Sequence, residues 1–142
     1  MSTKIDGDSI HVQQVFRNLS VSTITTAGNV TYTASQLIDG IISRDCSGAS
    51  RTDTTPTAAQ IVSAMVAKNS AVTDGSSFHF YLSNESDGGA EHLNLTGGTG
   101  VTVVSNNQIK RDRAVQFLVL ATNTTALSEA VSIYALTQAD TV

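Results

Sequence analysis

The run AVQFLVLATN, from Ala114 to Asn123, constrains this chain most. It is nearly continuous in apolar residues. Its most apolar part, Phe117 to Ala121, is far shorter than the ~20 residues a helix needs to cross a bilayer. A short apolar run bounded by polar residues reads as a central strand buried on both faces. A central strand requires partners on either side, so the chain is expected to fold around a sheet. The rest of the sequence agrees with that demand. Thr and Val, which favour strands, are abundant, as are Asn and Gly, which favour turns. A length of 142 residues suffices for one domain with its own core.

Other segments supply the partners. In SFHFYLSN, Phe78, Phe80 and Leu82 alternate with His79, Tyr81 and Ser83, the period of a half-buried strand. Asp87-Gly88-Gly89 follows as a turn, and EHLNLTG then places Leu93 and Leu95 on one face, so the two runs are expected to pair as a hairpin. LSVSTITTAGNVTYTA holds two short β-type runs around Ala27-Gly28-Asn29, and GIISRD, GVTVVS and EAVSIYAL complete a set of roughly eight strands. One segment has helical period instead. In TPTAAQIVSAMVAKN, Ala58, Ile61, Val62, Met65 and Val66 fall on one face. Its start has two candidates: Thr55 as cap with Pro56 in the first turn, or a capping box of Thr57 with Gln60. A second capping box, Thr33 with Gln36, followed by Gly40 as a stop, predicts one or two helical turns. The expected fold is mainly β: a single-domain β-sandwich or jelly roll with one short α-helix at about 56–68 and a helical turn at about 34–39. Residues 1–20 are expected to form a polar N-terminal arm or edge strand, and 21–142 the sandwich domain.

Charge is scarce, at 14% of residues with a net −4. That balance excludes a phosphate-tracking surface, which needs clustered Lys and Arg, so nucleic acid is not an expected partner. Neither is a membrane. MSTKIDGDSIHVQQVF has no apolar core of signal-peptide length, and a soluble protein without secretion signal is expected. The lone Cys46 leaves no internal disulfide to form.

Against this background SRDCSGASRTDTTPTAAQIVSAM, residues 43–65, is dense in charge. A catalytic reading makes Cys46 or Ser47 the nucleophile and Asp45 or Asp53 an acid. Such a nucleophile needs a base, and none lies nearby in sequence, which leaves His11, His79 and His92 to approach through space. CSGAS is also not a Gly-x-Ser-x-Gly elbow. The favoured reading is a structural clamp or subunit interface of Arg44, Asp45, Arg51, Asp53 and Thr55. In it the guanidinium groups bind Asp45, Asp53 or loop carbonyls and tie the loop to the helix start.

The remaining candidates are weaker. Glu85, Asp87 and Glu91 could be read as calcium ligands, but the loop is short for the six to eight oxygens that ion takes, and a solvated acidic turn is expected. LTGGTGV lacks the Lys-Ser/Thr ending of a phosphate cradle, and the His residues lack ligand spacing, so no metal or cofactor is expected. Lys110, Arg111 and Arg113 in QIKRDRAVQ read as a strand-edge patch or interface salt bridge. Sequons at Asn18, Asn29, Asn84, Asn94 and Asn123 acquire meaning only in a glycosylating compartment.

The series TYTASQLIDGIISRDCSGASRTDTTPTAAQIVSAM, SFHFYLSN and SEAVSIYAL resembles a domain found among virus-particle proteins of bacteriophages and some large DNA viruses. The resemblance spans about residues 25–136, and its specific part is Arg-Asp…Arg-Thr-Asp-Thr-x-Pro-Thr-Ala. Members often carry Pro after the Arg-Asp pair, where this chain has Cys46. The resemblance implies a non-enzymatic, homotrimeric β-domain of the virion, made in the host cytoplasm and placed on the capsid or on a fibre. Its expected function is capsid decoration or cementing against the major capsid protein. The alternative is a head-fibre or host-attachment module that binds a glycan or receptor.

Overall fold

A computed structural model describes residues 19–38, 40–104 and 107–136; residues 1–18, which hold His11, Asn18 and nearly all of the expected arm, lie outside them. The described chain is mainly β, with nine strands and two helices. Their order is β1 (Ser20–Ile24), α1 (Ala34–Leu37), β2 (Gly40–Arg44), β3 (Arg51–Thr54), α2 (Ala58–Lys68), β4 (Ser77–Asn84), β5 (Leu93–Thr96), β6 (Val101–Val103), β7 (Gln108–Ile109), β8 (Arg113–Asn123) and β9 (Ala130–Ala135).

Six strands form one sheet in the order β1-β2-β4-β8-β9-β6, and three form a second in the order β3-β5-β7. Both sheets are mixed. The pairs β1/β2, β2/β4, β6/β9 and β3/β5 are parallel, while β4/β8, β8/β9 and β5/β7 are antiparallel. Alternate residues of the large sheet point inward: Ile42 on β2, Phe80 and Leu82 on β4, Val115, Phe117 and Val119 on β8, Ile133 on β9. They share one buried cluster with Leu93, Leu95 and Ile109 of the small sheet and with Leu37, Ile61, Val62 and Met65 of the helices. Phe80 and Phe117 stack at its centre, with ring centroids 5.1 Å apart.

Both capping boxes form. Thr33 Oγ1 accepts from the Gln36 amide while Gln36 Oε1 accepts from the Thr33 amide, and Thr57 and Gln60 repeat the exchange. Two expectations about helix ends are corrected. Thr57, not Thr55, caps α2, because Thr55 is buried and its hydroxyl is engaged with Pro56 O and the Gly98 amide. Gly40 is not a helix stop but the first residue of β2; it packs so closely on the Gln36 carbonyl that no Cβ would fit.

Pairing departs further from expectation. β4 and β5 do not form a hairpin. β4 lies between β2 and β8, while β5 belongs to the other sheet, between β3 and β7. The Asp87-Gly88-Gly89 turn thus sits in a crossing between sheets. The run around Tyr32 is not a strand but a single bridge from Thr31 to Thr54, since its groups are drawn to β3. β8 is central, but only one of its faces is fully buried; Gln116, Leu118 and Leu120 on the other are half-buried.

Candidate functional site

β2 ends on Arg44, whose whole side chain is buried, with 0% exposure. A charge so placed must find partners for every donor or lose several kcal/mol to desolvation. Arg44 does. Nε donates to Asp53 Oδ2 at 2.7 Å and Nη2 to Asp53 Oδ1 at 3.5 Å. The remaining donors go to the carbonyls of Thr26 at 2.9 Å, Asp45 at 2.5 Å and Gly28 at 2.6 Å. All five N–H groups of the guanidinium are used.

Asp53, on β3, is equally buried and equally occupied. Besides the guanidinium it accepts the Tyr32 hydroxyl on Oδ2 at 2.7 Å and the Val30 amide on Oδ1 at 2.9 Å. One ion pair therefore joins the end of β2 in the large sheet, β3 in the small sheet and the 26–32 connection between β1 and α1. The electrostatics follow from burial. Burial and the adjacent Asp53 carboxylate push the Tyr32 hydroxyl far above the usual phenol range. Burial opposes the Arg44 charge, yet the Asp53 carboxylate more than offsets it, and the net shift of Arg44 is upward.

The other residues of the charge-dense segment hold its loop. Asp45 forms no ion pair with either Arg; its Oδ1 accepts the Ser47 amide at 2.8 Å. That contact supports Ser47 at φ +53, and the Ser47 hydroxyl donates to Thr25 O at 2.7 Å. Arg51 reaches carbonyls, not carboxylates: Cys46 O at 2.8 Å and Ser47 O at 3.3 Å. The expected tie from Arg51 and Asp53 to the helix start is absent among the described residues, because α2 is capped by its own Thr57 and Gln60. Thr55 instead fastens the Gly97-Gly98 turn, accepting the Gly98 amide at 2.9 Å.

A second buried polar hub, which the sequence reading missed, stands beside the first. Asn84 is fully buried at the end of β4. Its Nδ2 donates to Glu91 O at 3.1 Å and Ile109 O at 3.0 Å. Its Oδ1 accepts the Ser86 hydroxyl at 2.6 Å and the Ser86 amide at 3.2 Å, and the Cys46 thiol lies 3.8 Å away. Ser86 Oγ in turn accepts the Cys46 amide at 2.9 Å. A sequon asparagine so enclosed offers no amide for glycosylation. The local spacing Asn-x-Ser, a turn-forming pattern, was the available signal; nothing in sequence pointed to Tyr32 as a partner of Asp53.

Geometry assigns the nucleophile candidates structural contacts. Cys46 is buried with its thiol against Asn84, and Asp53 is neutralised by Arg44. His92 runs beside the loop through its backbone, taking Ser50 Oγ as acceptor and Arg51 N–H as donor, but no imidazole hydrogen bond reaches Cys46 or Ser47 among the described residues. His79 projects from β4 on the outer side of the large sheet. Glu85, Asp87 and Glu91 do not assemble: among the described residues no three metal-binding side chains come together. Glu85 accepts the Ser83 hydroxyl, Asp87 is exposed, and Glu91 is buried beside Gly88 with Oε2 unpartnered. In the basic segment, Arg111 pairs with its neighbour Asp112 at 2.9 Å on the surface, and Arg113 opens β8 in an exposed position next to exposed Lys110 and Arg111. No described helix is long and apolar enough to cross a membrane. Set against family models, curated proteins and solved structures, the chain matches none of them.

Proposed function

We propose that this chain is a structural protein of a virus particle, a capsid decoration or cement protein that bridges major capsid protein subunits as a homo-oligomer. We also read its two sheets as the layers of a helix-covered sandwich. The observation that carries the reading is the use the fold makes of the Arg-Asp…Arg-Thr-Asp-Thr segment. Every charged side chain in it holds backbone: Arg44 and Asp53 between the sheets, Asp45 and Arg51 within the loop. The motif behind the viral resemblance thus serves rigidity, and a cement protein needs rigidity to transmit load between subunits. The account assigns no catalytic role, no cofactor and no nucleic acid.

The test uses purified particles that carry the chain. Stripping it should lower the temperature at which the particles release their genome, and adding it back should restore that temperature. Particles equally stable with and without it contradict cementing. Host attachment is the second reading, favoured by Leu127, which stands 99% exposed at φ +71 on the β8–β9 loop. An apolar side chain presented in a conformation that disfavours it is a reason to look for a partner. Binding to host cells that Leu127→Asn abolishes would favour this reading over cementing.

A further inference from the structure

A groove runs along the side of α2 that meets α1 and the start of β1. It consists of two adjoining hollows. One, of about 300 Å³, is lined by Ser20 of β1, by Ser35 and Ile38 in and just after α1, and by Ala64, Ala67 and Lys68 of α2. The other, of about 290 Å³, continues past the end of α2 to Val72, Ser76 and Phe78. Ile38 and Lys68 border both hollows and make them one groove. Its floor is apolar. Ile38 and Met65 belong to the buried core, while Ala64, Val72 and Phe78 pack against that core only partly buried.

Apolar surface gathered in a groove, rather than scattered singly, marks a docking site. We propose that residues 12–16 of the same chain, Val-Gln-Gln-Val-Phe, fill it. Position is the first argument. The described chain begins at Leu19, and the next residue, Ser20, is itself part of the groove wall. Phe16 stands four residues before Ser20, at most about 14 Å of extended chain. The α2 wall from Ala64 to Lys68 is only about 6 Å long. Val15 and Phe16 are therefore tethered within reach of the floor, and so short a tether sets an effective concentration on the order of millimolar.

Composition is the second argument. Val12, Val15 and Phe16 are interrupted only by neutral Gln, so the stretch brings no charge onto an apolar floor. The other segments outside the described residues do not match the groove. Position 39 is a single Asp and 105–106 are Ser-Asn. Residues 137–142, Thr-Gln-Ala-Asp-Thr-Val, are mostly polar, and they continue from β9, four strands away from β1 in the sheet. Seated in the groove, Val15 and Phe16 close the seam between α2 and the large sheet, and the segment serves as a strap across it. This inference is independent of the viral reading.

Cross-linking in the full chain tests the placement. Phe16→Cys combined with Ala67→Cys, or with Val72→Cys in the second hollow, should form an intramolecular disulfide on mild air oxidation, since bridged Cα atoms stand only about 4.4–6.8 Å apart. Peptide mass mapping identifies the bridge and separates it from any bridge to the native, buried Cys46. Phe16→Cys with Thr102→Cys, on β6 at the far edge of the large sheet, should stay unbridged. Amide exchange gives a second readout. Phe16→Asp should speed exchange over Ala64–Lys68 by at least about 10-fold, whereas Gln14→Asp, which adds the same charge nearby, should not. Failure of both groove pairs to bridge overturns the inference. So does a bridge that joins two chains, which gives the groove to a second copy, and so does exchange that Phe16→Asp leaves unchanged.

Discussion

At the scale of the residue, two of the chain's few charged side chains, Arg44 and Asp53, stand where water is excluded. Arg44 and Asp53 satisfy one another and five further backbone or hydroxyl groups, so neither can be removed alone without stranding the other. Arg44→Ala and Asp53→Ala are each expected to cost about 3–5 kcal/mol, measured by denaturant unfolding; losses under 1 kcal/mol for both would show that the pair holds nothing. Tyr32 gives a second, pH-resolved prediction. Its folded-state pKa is raised by burial and by the Asp53 carboxylate, so above the ordinary phenol value, about 10, the unfolded chain releases a proton that the folded chain keeps. Stability is therefore full below about pH 10 and falls as pH rises beyond it. Tyr32→Phe should remove that part of the alkaline slope and cost about 1.5–3 kcal/mol at neutral pH through the lost bond to a charged acceptor. An unchanged alkaline slope would contradict the assignment.

Elements divide into those whose cause is local and those whose cause is not. Both capping boxes were legible because Thr and Gln three residues apart satisfy each other without help from the rest of the chain. The contest between Thr55 and Thr57 for the start of α2 was decided from outside, by Gly98, whose amide occupies the Thr55 hydroxyl. Thr57→Ala is accordingly expected to cost about 1 kcal/mol, read as a fall in thermal midpoint, whereas capping by Thr55 would make that substitution neutral. Strand existence was legible from alternation, but strand partners were not. Phe80, Leu82, Leu93 and Leu95 alternate alike, and a Gly-Gly turn separates them, so nothing within the segment distinguishes a hairpin from a crossing. The distinction comes from Asn84, whose side chain binds the carbonyls of Glu91 and Ile109 and so carries the chain over to the other sheet. The polar hubs were half legible for the same reason. Arg44 and Asp53 stood out by composition, but Tyr32 and Asn84 acquire their roles from partners 21 and 25 residues away.

At the scale of the whole molecule, the apolar strand that most constrains the chain has a second consequence. β8 is apolar enough for two buried faces, and the described chain fully buries one. Leu118 and Leu120, on its other face, stay half-buried. On the function proposed above, a charge-poor body cross-braced by a buried ion pair suits assembly into a larger structure. The most direct test of the proposed virion role is an electron-microscopy map of virus particles purified from the source of the chain. The account predicts density for this fold repeated over the outer capsid surface and in contact with coat subunits. Density confined to a fibre tip, or a particle that lacks the chain altogether, would contradict it.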